Sequence, residues 1–249
     1  WRCSDLLGLV RIFLRNRDVM ETMDYGITRL KGPAHKLLHF FNRNTRTGSR
    51  KNISAHYDIG NELFKLFLDQ TMMYSSAYYE SPAMSLDDAA VAKLDLVCKK
   101  LDLQPQDHLL EIGTGWGGLA VHAATNYGCK VTTTTISEEQ YRLALQKVNE
   151  YGLDGKITVL KQDYRDLEGQ YDKLVSIEMI EAVDHAALPE YFRTCGALLA
   201  PGGLLLVEHG ADQEEGVAAL LEAHGWTDIR CHRDLAGLPR VTAARQGGK

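Results

Sequence analysis

The sequence predicts an α/β fold: a doubly wound, mainly parallel sheet with a C-terminal antiparallel hairpin and a helical N-terminal extension. Three observations predict it. From about residue 53, short apolar or β-branched runs alternate with segments of helical periodicity, the pitch of successive βαβ units. One such run enters a glycine cluster, Gly113-Thr114-Gly115-Trp116-Gly117-Gly118, of the kind that turns a strand into a helix beside a ligand. The final stretch breaks the alternation, with two strand-like runs joined by Gly237-Leu238-Pro239.

The elements follow in order. Leu6, Leu9, Val10, Phe13 and Leu14 recur at helical spacing and predict a first helix with one apolar stripe. Leu37, Leu38, Phe40 and Phe41 form a second apolar cluster beside Arg43, Arg46 and Arg50, and the polar stretch 43–51 reads as a linker. An extension, residues 1–52, is thereby set off from a main domain, residues 53–249. Residues 56–67 carry apolar side chains at helical intervals, and 86–101 predict a helix ended by Asp102-Leu103-Gln104-Pro105. His108 to Ile112 is a buried parallel strand, 119–127 a helix, and 130–136, β-branched throughout, a strand. Ser137 is a natural N-cap for a helix over 138–151. Strands follow at 157–161 and 171–177. A helix over 188–199 is stopped by Pro201-Gly202-Gly203, with a strand at 204–208. A helix over 216–224 and strands at 227–232 and 240–244 close the pattern.

Composition narrows the functional classes. With 249 residues, 45% of them hydrophobic and 24% charged, the chain has enough apolar material for a core and is neither disordered, collagen-like nor coiled-coil. A net charge of −5 argues against a general nucleic-acid binder. No apolar run approaches the ~18–20 residues that cross a bilayer, so no transmembrane segment is expected. Five cysteines scattered without a C-x-x-C pair read as reduced thiols in a cytoplasmic protein, and no metal site is expected. There is no signal peptide, and a start at Trp1 is expected of a fragment or processed chain. The charge is uneven. Residues 1–52 hold 11 Lys and Arg against 4 acids, a local +7, leaving −12 for the rest. A basic, amphipathic head points to an anionic partner such as a membrane surface.

The chemistry centres on Glu111-Ile112-Gly113-Thr114-Gly115-Trp116-Gly117-Gly118. Gly113, Gly115 and Gly118 satisfy G-x-G-x-x-G, so spacing alone leaves a nicotinamide dinucleotide and S-adenosylmethionine both open. A dinucleotide wants an acid about 20 residues on, at the end of the next strand, to hold the ribose. That strand, Val131-Thr132-Thr133-Thr134-Thr135-Ile136, ends without one. Glu111, just before the first glycine, fits S-adenosylmethionine. Thr135, Ser137 and Gln140 supply hydroxyl and amide partners where the acid would have sat, and Asp163 is placed to accept from an adenine amino group.

Five blocks in order resemble cyclopropane-fatty-acyl-phospholipid synthases. They are residues 52–64, which contain His56-Tyr57-Asp58; residues 68–78, which contain Met73-Tyr74-Ser75-Ser76; the glycine motif; residues 135–140; and Gln162-Asp163-Tyr164-Arg165-Asp166. The likeness covers roughly residues 1–205. It implies a class I methyltransferase fold and S-adenosyl-L-methionine as cofactor, surrounded by Tyr74, Ser75, Gly113, Gly115, Gly117, Thr135, Ser137, Gln140, Asp163 and Tyr164. It implies methylene transfer to the double bond of an unsaturated phospholipid chain at an anionic membrane surface, with the protein peripheral on the inner face. Glu181, in Glu178-Met179-Ile180-Glu181-Ala182, matches the family's active-site glutamate, which helps hold a bicarbonate that takes the proton.

There are departures. Ser76 stands where many members have cysteine, and Glu208 where the family has a bicarbonate-binding histidine. In place of the lipid-covering region, residues 204–213 and 233–242 resemble the C-terminal end of release-factor glutamine methyltransferases. Those enzymes grip an amide with Asn-Pro-Pro-Tyr after the fourth strand, where this chain reads Ser176-Ile177-Glu178-Met179. Two alternatives stand beside lipid chemistry: a methyltransferase on another substrate, or a cofactor-binding module without turnover. Weak turnover is the expectation. Oligomeric state is not legible.

Overall fold

The computed structural model describes residues 5–16 and 64–248. The chain divides into two compact units, Trp1–Arg43 and Asn44–Lys249. In the first unit, α1 (Leu6–Arg15) forms where the apolar stripe predicts it. Asp5 starts it, its carboxylate accepting from the Gly8 N–H at 2.8 Å, and Asn16 ends it by donating to the Ile12 carbonyl. The apolar cluster at Leu37 to Phe41, the linker and most of the helical pattern at 56–67 lie outside the described residues.

The second unit holds α2 (Leu86–Lys100), β1 (His108–Ile112), α3 (Gly118–His122), β2 (Lys130–Thr135), α4 (Glu138–Glu150), β3 (Ile157–Lys161) and β4 (Tyr171–Ser176). It continues with α5 (Leu188–Leu198), β5 (Leu199–Glu208), α6 (Glu214–Ala223), β6 (Thr227–Arg233) and β7 (Pro239–Arg245). The seven strands run in the order β3-β2-β1-β4-β5-β7-β6. The first five are parallel; β7 pairs antiparallel with both β5 and β6. Order reverses beside β1, which puts the crevice for a ligand at the C-terminal ends of β1 and β4.

Alternation along the strands builds a core on each face. Leu109, Val131, Leu204 and Leu206 pack with Leu94, Val97, Leu119 and Val148 on one side. Leu110, Ile112, Leu205 and Val207 pack with Tyr191, Phe192, Leu221 and Trp226 on the other. Cys129 and Cys195 are unpaired core residues, and burial pushes their thiols up to about 11 and about 12, so they pack as small apolar groups.

Three boundaries differ from expectation. The segment 119–127 is an α-helix only to His122 and continues as a π-type turn, Ala123–Tyr127, ended by Gly128 at φ 72°. Strand β5 begins at Leu199, not residue 204, because Leu199 pairs with Tyr171 and the register then slips before Lys173 meets Leu204. Pro201-Gly202-Gly203 is therefore a bulge inside the strand. A Cβ on Gly203 would lie 3.0 Å from the Asp172 carbonyl oxygen, so only glycine lets the two backbones close. The closing helix starts at Glu214, two residues early, with Glu214 and Glu215 in its first turn.

Candidate functional site

The glycine motif does several things. Strand β1 ends at Ile112, and the N–H groups of Gly113 and Thr114 both donate to the Thr134 carbonyl at 3.0 Å, tying the loop to β2. Gly115, at φ +52°, has no atom within 4 Å of where a Cβ would stand, so its backbone faces open space. Gly117 has a packing role: its Cβ position is 3.3 Å from Ala144 of α4. Gly118 opens α3, and the Thr71 carbonyl oxygen would be only 2.7 Å from its Cβ, so the segment before α2 crosses the loop there. A cavity of about 670 Å³ opens at the strand ends, walled by Ile112 and Thr135, the last residues of β1 and β2, by Asp163 and Glu178 just after β3 and β4, and by Thr71 to Ser75 from the crossing segment.

The polar wall is largely self-satisfied. All four threonines of β2 are buried, and each hydroxyl has a partner. Thr132 meets His108 Nε2 at 2.9 Å, and Thr134 donates to the Gln162 carbonyl at 2.5 Å. Thr135 donates to Gln140 Oε1 at 2.8 Å, while the Ser137 hydroxyl accepts from the Gln140 N–H as the N-cap of α4. Gln140 thus engages its oxygen and offers a ligand its amide N–H pair. The Asp163 carboxylate is gripped by Arg165, Nε at 2.8 Å and Nη2 at 2.6 Å. Trp116 is buried against Phe64, ring centroids 4.9 Å apart, and Tyr74 flanks both.

Glu111 is 3% exposed, and burial pushes its carboxyl up to about 8, with Thr133 pulling it back. The Thr133 hydroxyl oxygen lies 2.6 Å from Glu111 Oε2 and 2.7 Å from Thr114 Oγ1. One hydroxyl proton cannot serve both contacts: Thr133 donates to Glu111, the bond that pulls its carboxyl back, and the Thr114 hydroxyl donates to Thr133.

The far end of the cavity is acidic. Glu178 follows β4 at φ 46°, an uncommon conformation for a side-chain-bearing residue. Its carboxyl is pushed up to about 7, first by burial and then by Glu208 and Glu181, against the pull of Lys93 and Arg240. Glu181 lines the same cavity and is also raised, by burial and then Glu208. Glu208 itself is buried at the end of β5 in an ion pair with Lys93 of α2, Nζ to Oε1 3.0 Å. The neighbouring His209 ring is engaged by Thr242 Oγ1 and the Gly210 carbonyl, each at 2.8 Å.

Of the residues expected at the site, Tyr74, Ser75, Glu111, Gly113, Gly115, Thr135, Gln140, Asp163, Tyr164 and Glu181 line this one cavity. Gly117 and Ser137 do not: one packs on α4, the other caps it. Trp116, Arg165 and Glu178 line it without having been singled out, and Lys93 escaped notice behind it. Lys93 did leave a signal, since it shares a helical face with Ala89, Ala90, Leu94 and Val97, where a charge must find a partner.

The family model described as mycolic acid cyclopropane synthetase matches residues 44–229. The chain belongs to that family. Its match begins inside the stretch expected as a linker and runs past residue 205, through α6 into β6. Among relatives, a probable fatty acid methyltransferase of Pseudomonas putida is 45% identical over 160 residues, 64% of this chain and 40% of its own length. The cyclopropane-fatty-acyl-phospholipid synthase of Escherichia coli (strain K12) is 45% identical over 152 residues, 61% of this chain and 38% of its own. This chain therefore spans about 40% of the length of those family relatives. A mycolic acid cyclopropane synthase solved in complex with SAH and CTAB is 27% identical with a TM-score of 0.66, covering 73% of this chain and 77% of that one. The fold is that of the class I methyltransferases. Among the described residues, no helix is long and apolar enough to cross a membrane.

Proposed function

We propose that the chain binds S-adenosylmethionine in the 670 Å³ cavity and transfers a one-carbon unit to the double bond of an unsaturated phospholipid acyl chain. The observation that carries this reading is the cavity itself, at the switch point of the sheet, with the open Gly115 backbone on its wall. The residues fit the cofactor. Gly113 and Gly115 allow close approach, Gln140 offers amide donors, and Asp163, held by Arg165, stands on the same wall. Tyr74, Ser75 and Tyr164 complete the enclosure. Bound there, the cofactor supplies a methyl activated on a sulfonium, a cation that suits walls bearing Glu178 and Glu181.

The chain's own part is to orient the alkene, keep water away and stabilise developing positive charge. Glu181 is the residue we assign to that stabilisation. A bicarbonate fits poorly here: Glu208 already raises both Glu178 and Glu181, and Lys93 is committed to Glu208. A second reading, cofactor binding without turnover, is favoured by that same pair, since Glu208 stands where the family resemblance expects a histidine and its carboxylate is occupied.

Calorimetry with S-adenosylmethionine, followed by gas chromatography of fatty acids after incubation with unsaturated phospholipid vesicles, separates these readings. Wild type should bind and modify the lipid, and Glu181→Gln should still bind while losing about 100-fold in product. Binding without product selects the second reading. No affinity for S-adenosylmethionine overturns both.

A further inference from the structure

The segment that crosses the glycine loop and walls the cavity has little regular structure, yet it is pinned along its length. Asp69 begins it, its carboxylate accepting from the Thr71 N–H at 2.6 Å and the Met73 N–H at 2.9 Å. Lys147 of α4 donates to the Thr71 carbonyl at 2.8 Å. Farther along, Lys93 of α2 donates to the Ser75 hydroxyl at 3.0 Å and the Ser76 carbonyl at 3.4 Å. The same ammonium group meets both oxygens of Glu208, at 3.0 and 3.1 Å. Lys93 and Glu208 are 115 residues apart, and Lys93, Glu208 and Ser75 are all buried.

A buried ion pair is weak evidence for stability, because desolvating two charges offsets most of their attraction. Its distinctive capacity is to fix one geometry. Here the ammonium joins three elements that approach the cavity from different sides: α2, the end of β5, and the segment carrying Tyr74 and Ser75. An apolar pair would fill the space without telling Ser75 where to stand.

We propose that Lys93 and Glu208 are positioning residues, a charge clamp that holds Ser75 and the Ser76 main chain in place and thereby sets the cavity wall. The proposal rests on the cofactor reading for its consequence and on the hydrogen bonds alone for its mechanism. Neither residue lines the cavity; they reach it through the segment they hold and through their charges on Glu178 and Glu181, so exchange in the segment, and not affinity, is what reads the clamp.

The test uses the double variant Lys93→Met/Glu208→Leu, which removes both charges together and leaves no orphaned ion. Glu208→Gln is the companion, keeping an acceptor for Lys93 while removing the charge. Amide hydrogen exchange by mass spectrometry reads peptides spanning residues 70–79, beside thermal denaturation and calorimetry with S-adenosylmethionine. In the double variant, exchange in 70–79 should rise while strands β1 to β5 stay protected and Tm moves by no more than a few degrees. Affinity for S-adenosylmethionine should fall about tenfold, and Glu208→Gln, which leaves the Lys93 ammonium buried beside a neutral amide, should fall at least as far. Unchanged exchange in 70–79 overturns the clamp, as does a loss of protection spread evenly over the sheet. Should wild type fail to bind S-adenosylmethionine, the cofactor reading falls, and the exchange pattern still decides the clamp.

Discussion

At the scale of single residues, Glu111 is the most exposed to test. Its carboxyl sits at about 8 in the fold against an ordinary 4.5. Between those values the unfolded chain has released the proton while the folded chain retains it, so the folded state binds more protons and stability falls as pH rises. The contribution is complete below about 4.5 and gone above about 8. Its size is on the order of a few kcal/mol. Glu111→Gln keeps the partner for Thr133 without an ionisable group, so its Tm, followed by circular dichroism from acid to alkaline pH, should decline more shallowly than that of wild type. An equally steep decline would mean that Glu111 is already ionised in the fold. Such a role is half-legible in sequence. A glutamate two residues before a glycine loop announces a site, but its raised carboxyl comes from burial in the assembled sheet, tempered by Thr133 brought in from β2. The same holds for Lys93, whose position on a buried helical face was readable although its partner, at the far end of β5, was not.

At the scale of elements, the legible features were those written locally. Strands β1 and β2, the Ser137 cap and the closing hairpin each follow from periodicity, branching or capping within a few residues. The bulge at Pro201-Gly202-Gly203 was not legible, since it is imposed by the neighbouring strand β4. The segment over the cavity was marked only by family resemblance, at Tyr74 and Ser75; it has no period of its own and is held by side chains from α2 and α4. Its contact with Gly118 makes a prediction. Gly118 needs no left-handed backbone, so alanine would be unstrained there, but its Cβ would press on the Thr71 carbonyl at 2.7 Å. Gly118→Ala should cost about 1–3 kcal/mol in urea unfolding, the range for overpacking, and should weaken cofactor affinity by displacing the wall. Unchanged affinity with unchanged stability would mean that the segment yields freely.

At the scale of the whole molecule, charge is divided along the chain, +7 over residues 1–52 and −12 over the rest. Lys and Arg near an anionic lipid surface contribute about 1 kcal/mol each, screened within about a Debye length. The chain should therefore cosediment with anionic vesicles more than with zwitterionic ones, and added salt should release it. Equal sedimentation with both kinds, or none, would remove the membrane surface from the proposal. The order of the sheet bears on how the molecule comes to be made. Strand β7 follows β6 in sequence but lies between β5 and β6, pairing Glu208 with Val241 and Leu204 with Arg245. During synthesis the edge of β5 that faces away from β4, Leu204 to Glu208, has no strand partner until residue 245 has left the ribosome. For that interval β5 is a bare edge able to recruit any passing strand, so chains cut short before β7 should be prone to aggregation even with every residue of the cavity already in place.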